Sequence, residues 1–151
     1  MFEVLNMFFD YIEGSRVSSS RNLPADDAIL KANLWYSRAY ASNANLFTAI
    51  HRNAELCKIR EPRNDQWAMK VVHVSGRRRG RKFTGAERVE YAGTIRILIT
   101  MTIETLSERY INNDALISEA FPGPDDIAKK ISAIWHEVMK RYEAAPATGT
   151  A

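Results

Sequence analysis

Apolar residues recur along this chain at three- and four-residue steps, the spacing that places them on one side of a helix. From Met1 to about Glu13, Phe2, Leu5, Phe8, Phe9 and Ile12 form one such stripe. The stretch GSRVSSSRNL then interrupts it with Gly14 and three consecutive serines, which predicts a loop. Pro24 suits the first turn of a second helix, with Asp26 and Asp27 complementing its positive end. That helix reaches about Ala41 and carries Trp35, Tyr36 and Tyr40. In SNANLFTAIHRNAELCKI, Asn43 or Asn45 can cap a short helix bearing Leu46, Phe47 and Ile50. REPRND reads as a second break, after which Asn64 or Asp65 caps QWAMKVVHVSG, with Trp67, Val71 and Val74 on one face and Gly76 weakening its end.

The longest periodic segment runs from Ala86 to about Ile111. Tyr91, Ile95, Leu98, Ile99, Thr102 and Leu106 make one face, while Ile97, Met101 and Ile103 cover most of the rest. Apolar coverage that broad predicts burial on more than one side. Asn112 and Asn113 suit a left-handed helix end, and a short helix fits Asp114 to Ala120. FPGP stops it, and Pro124, Asp125 and Asp126 open a last helix to about Glu143, predicted to bury Ile127, Ile131, Ile134, Trp135, Val138 and Met139. No segment alternates as a strand would. The pattern predicts one all-α domain over residues 1–143, followed by a frayed tail at 144–151.

Composition narrows the function classes. The 151 residues include 46% hydrophobic and 26% charged, the balance of a globular chain. Net charge is only +3, and SGRRRGRKFTG (residues 75–85) contributes five basic residues, more than that excess. The remainder is near neutral, which argues against a general polyanion-binding surface. A single cysteine, Cys57, excludes an internal disulfide and points to a reducing compartment, taken as the cytoplasm. The most apolar stretch, Ile95 to Leu106, is too short and too polar to span a bilayer, so no membrane partner is expected.

Catalytic signatures are missing: there is no phosphate-binding glycine loop, no nucleophile elbow and no HExxH. His51, His73 and His136 are widely separated, and none has a His or Cys at i+3 or i+4. The expectation is therefore neither an enzyme nor a metal or cofactor protein. Arg96, Thr100, Glu104 and Ser107 fall at near-helical spacing and read as a polar strip, or else Thr100 or Glu104 points into a cavity and orients a ligand. The aromatics Trp35, Tyr36, Tyr40, Phe47, Trp67 and Tyr91 read as core or as a mostly apolar pocket.

The aromatic-rich DAILKANLWYSRAY followed by ASNANLFTAIHRNAEL, the long helix ending ITMTIETLSERYI, and the closing PGPDDIAKKISAIWHEVMKRY together resemble the C-terminal regulatory domain of TetR-type transcriptional regulators. The resemblance covers roughly residues 1–143 and is one of helix pattern rather than strict motif. It implies a homodimer through the last two long helices, with Leu106, Ile131, Ile134, Trp135 and Val138 at the interface. It also implies a small-molecule effector bound among Trp35, Tyr36, Tyr40, Trp67, His73, Ile95 and Ile99. The family reads DNA through an N-terminal helix-turn-helix, which would precede Met1, so DNA is expected as a partner only through that part. The basic segment then becomes a solvated corner between two regulatory helices. The alternative is a stand-alone nucleic-acid binder using Arg77, Arg78, Arg79, Arg81 and Lys82.

Overall fold

The computed structural model describes residues 25–78 and 80–143. The predicted helix over residues 1–13, Pro24 and the tail at 144–151 lie outside them. The described residues form six helices and no strand: α1 (Ala25–Ser42), α2 (Ala44–Arg52), α3 (Ala54–Arg78), α4 (Gly85–Tyr110), α5 (Ala115–Ala120) and α6 (Pro124–Glu143). The all-α expectation holds.

Helix α4 sits in the middle and touches each of the other five. Its buried stripe is Tyr91, Ile95, Leu98, Thr102 and Leu106, which follows the predicted period. The other main contacts pair α1 with α6 and α3 with α4. Buried polar atoms fix the register of these pairs. Asn33 Nδ2 donates to Ser132 Oγ at 2.9 Å between α1 and α6. Ser75 and Tyr91 hydroxyls meet at 3.1 Å between α3 and α4. Trp135 Nε1 donates to Thr102 Oγ1 at 3.0 Å, tying α6 to α4. At the far end Tyr142 stacks on Tyr91, with ring centroids 4.2 Å apart. Its hydroxyl donates to Glu90 at 3.1 Å and lies 2.7 Å from Thr94 Oγ1. These bonds show α6 running back antiparallel to α4.

The predicted break at REPRND is not there. α3 continues from Ala54 to Arg78 through Pro62. Its start is set earlier, where Asn53 Oδ1 accepts from the Glu55 and Leu56 amides at 3.0 and 3.3 Å. Asn64 is buried inside the helix rather than capping it, and Asp65 binds Arg96 Nε at 2.8 Å. An interior proline forfeits one ladder bond and clashes with the preceding turn, costing about 3 kcal/mol. Leu56 before the proline and Ala68 and Val72 after it are all buried, at roughly 1.5–3 kcal/mol for each large side chain. Packing on both flanks of the proline outweighs the local penalty.

The corner between α3 and α4 depends on two glycines. Gly80 has φ 61, and a Cβ on buried Gly76 would run into the Arg81 carbonyl oxygen. The Arg81 amide returns to Gly76 O at 2.8 Å and closes the turn. Asn113 takes the left-handed conformation with φ 53, and Asp114 caps α5 by accepting from the Ile117 amide at 2.9 Å.

Because Pro62 is exposed, Pro62→Ala should restore the missing amide bond without disturbing the core. The helix gains about 3 kcal/mol from propensity, and the freer unfolded chain takes back up to about 1 kcal/mol. Urea unfolding should show a net stabilisation of about 2–3 kcal/mol; a destabilised variant would mean that the proline sets a bend the core requires.

Candidate functional site

Two features stand out, a polar cluster at one end of the bundle and an outer face shared by α4 and α6. The cluster centres on His51, in the last turn of α2. Its Nε2 lies 2.9 Å from the Tyr40 hydroxyl of α1, 3.2 Å from Arg60 Nη1 of α3 and 3.1 Å from Ser107 Oγ of α4. An arginine can only donate, so Nε2 accepts and the ring proton resides on Nδ1. Ser107 in turn donates to the Ile103 carbonyl at 2.8 Å. Burial, followed by the Arg60 charge, lowers the imidazole pKa to about 4. Burial pushes the Tyr40 phenol up to about 12. Both groups are therefore neutral at pH 7. The Tyr40 ring stacks on Phe47 with centroids 3.9 Å apart, which gives the cluster an aromatic wall. Cys57 donates its thiol to the Ile50 carbonyl at 3.3 Å and serves as a helix-end contact.

Four of the seven residues expected to line a pocket belong to the packed core, with no cavity described among them. Tyr40 and Ile95 are fully buried in one core cluster, and Tyr36 and Ile99 pack against it. Trp35 and Trp67 are half-buried. His73 is exposed on the side of α3 away from Ala68 and Val72, so the fold does not bring it to the others. Thr100 and Glu104 are also exposed, and Arg96 donates to both Asp65 and Thr100; this is a polar surface strip, of which Arg96 and Thr100 border a shallow depression rather than an enclosed cavity. His51, read from sequence as an ordinary helical histidine, turns out to be the hub. Its partners stand at positions 40, 60 and 107, and no local spacing announces them.

The outer face has a different character. Leu106 and Ile131 are buried in the chain's own core, as is Trp135 through its bond to Thr102. Ile134, predicted buried, is 38% exposed, and Ile97 is 69% exposed. Val138 and Met101 are half-buried beside them. On α6, Asp125 and Ser132 bind α1 on one side of Trp135, and helical spacing puts Ile134 and Val138 on the other. On α4, Glu90 and Thr94 meet Tyr142 of α6, and Ile97 and Met101 continue that edge. Helical spacing thus puts the four apolar residues on the same outer side of the α4–α6 seam. A shallow depression on α4, lined by Arg96, Ile97, Thr100 and Met101, opens on the same side.

The basic corner is partly structural. Arg81 binds Glu87, donates to the Tyr142 carbonyl at 2.8 Å and lies 4.6 Å over the Phe83 ring. Arg77 and Lys82 are exposed. Among the described residues no cluster of His, Cys, Asp or Glu could hold a metal, and no helix is long and apolar enough to cross a membrane. The class these features define is an all-α bundle with a buried polar node and an open apolar seam. The chain matches no family model, no curated protein and no solved structure.

The depressed His51 pKa makes a signed prediction. Between pH 6.5 and about 4 the unfolded chain binds the proton and the folded chain does not, so this contribution is complete above pH 6.5 and is lost as pH falls to about 4. Allowing for its partial solvent contact, the amount is about 1–2 kcal/mol. Urea unfolding at pH 7 and pH 4.5 should show a smaller pH loss for His51→Gln than for the wild type.

Proposed function

We propose that this chain is the regulatory part of a TetR-like transcriptional regulator, a homodimerising helical domain that binds a small apolar or aromatic effector. The observation that carries the proposal is the seam of Ile97, Met101, Ile134 and Val138, an apolar strip left open on the two long C-terminal helices. Its edges favour a second copy as the occupant. Glu90, Ile97, Glu104 and Glu108 fall at helical spacing along α4, and Lys130, Ile134 and Arg141 do so along α6; the charged members of both sets are exposed. A two-fold axis along the seam sets the acidic edge of one protomer against the basic edge of its partner. The interface then consists of Ile134 and Val138 together with Ile97 and Met101, while Leu106, Ile131 and Trp135 support it from inside each protomer.

The effector half of the proposal draws on the aromatic and aliphatic residues Tyr36, Tyr40, Ile95 and Ile99, all in or against one core cluster, of which Tyr40 also bonds His51. Mostly apolar walls with a few directing polar groups are what a small-molecule site requires. A ligand there touches α1, α2, α3 and α4 together and can bias their relative positions.

Light scattering at about ten micromolar, a concentration that saturates an ordinary homodimer interface, should give twice the chain mass. Ile97→Glu combined with Ile134→Glu should give a monomer with unchanged helical circular dichroism, because both positions are exposed in the single chain. A monomeric wild-type protein overturns the dimer.

A further inference from the structure

A net charge of +3 is too small for a polyanion-binding surface spread over the whole molecule, but the fold sorts charge by sign. The end of α3, the corner at residues 80–84 and the start of α4 meet at one end of the bundle, where Arg81 also reaches the Tyr142 carbonyl of α6. Helical spacing puts Lys70 and Arg77 on one exposed strip of α3. Lys82 is exposed in the corner, and Arg88 in the first turn of α4. None of these four forms an ion pair among the described residues. The nearby carboxylates are engaged or set apart: Glu87 binds Arg81, Glu90 accepts from Tyr142, and Asp27 opens α1, which packs on α6. Glu61, Glu108 and Glu119 are exposed at the opposite end, where α3 starts and α4 finishes.

We propose that Lys70, Arg77, Lys82 and Arg88 form a docking surface for the phosphate backbone of duplex DNA, held without reading base sequence. The choice of DNA as the polyanion rests on the regulator reading above; the patch itself does not. Unpaired lysine and arginine side chains gathered on one surface match a regular row of phosphates in charge. A duplex fits better than a single strand, whose bases need aromatic faces to stack on. Phe83 and Tyr91 are buried, Tyr142 is stacked on Tyr91, and no described aromatic side chain is exposed. A lipid surface fits less well. The exposed apolar residues nearest the patch in sequence are Val74 and Val89, whereas interfacial binding buries large apolar side chains.

The test is fluorescence anisotropy of a labelled random-sequence DNA duplex titrated with the whole chain. Four phosphate contacts should make the affinity fall about hundredfold between about 50 and 200 mM salt. Arg77→Gln, Lys82→Gln and Arg88→Gln together should weaken binding at least about tenfold and flatten the logarithmic salt slope by about 3. Helical circular dichroism should stay unchanged, because all three side chains are exposed. Should the triple variant fail to fold, Arg88→Gln alone decides, with a slope flattened by about 1. Arg52→Gln with Lys58→Gln, at the opposite end, should leave binding unchanged. Absence of binding at about 100 µM chain and about 50 mM salt, conditions that reveal even weak non-specific contacts, overturns the surface. So does an unaffected triple variant, or an equal loss in the control pair. Tighter binding to single-stranded DNA, duplex RNA or phosphatidylserine vesicles overturns the duplex-DNA assignment. The dimer measurement judges the regulator reading separately, so the two failures are distinguishable.

Discussion

Helix α4 has to satisfy neighbours on three sides at once, and the rest of the molecule is arranged around how it does so. Tyr91, Ile95, Leu98 and Leu106 supply one greasy line, but a line of interchangeable aliphatic residues does not fix how far a neighbouring helix slides. The sliding is stopped by single hydrogen bonds in the dry interior: Ser75 to Tyr91 for α3 and Trp135 to Thr102 for α6. Each buries a donor whose alternative is an unpaired polar group, at about 1–3 kcal/mol, so a one-residue slip of either helix is strongly disfavoured. Register set in this way determines which side chains remain outside, and the α4–α6 seam is the result.

The two ends of α4 are solved differently. Toward its start, Tyr91, Tyr142, Thr94 and Glu90 form a satisfied aromatic clasp, and Arg81 straps the preceding corner onto the end of α6. Toward its other end the polar groups converge on one imidazole nitrogen, leaving a buried Arg60 Nε without a partner. Stability alone does not account for that second arrangement, because an orphaned guanidinium N–H opposes folding.

The seam and the cluster are linked through the same helix. α4 carries Ile97 and Met101 on one side and Ser107 at the His51 node on another, so a shift of α4 against its neighbours would be felt at both. A rigid rod in contact with both sites is the minimum physical requirement for one to influence the other.

Much of this fold is visible in the residue pattern. The ends of α4, α5 and α6 follow from Asn113, Asp114 and Pro124, and the stripe from Tyr91 to Leu106 from its period, because those signals act within a turn or two of the chain. The predicted break at Pro62 fails since a local penalty of a few kcal/mol was weighed without the burial of Leu56 and Val72 on either side of it. Ile134 looks like a core residue by spacing, and only the placement of α1 against the opposite flank of α6 leaves it in the open. The His51 cluster is beyond any local reading. Tyr40, Arg60 and Ser107 are distant in sequence, and each alone resembles ordinary helix surface or core. Periodicity and capping are short-range and therefore written along the chain, whereas which polar atoms meet depends on how whole helices pack.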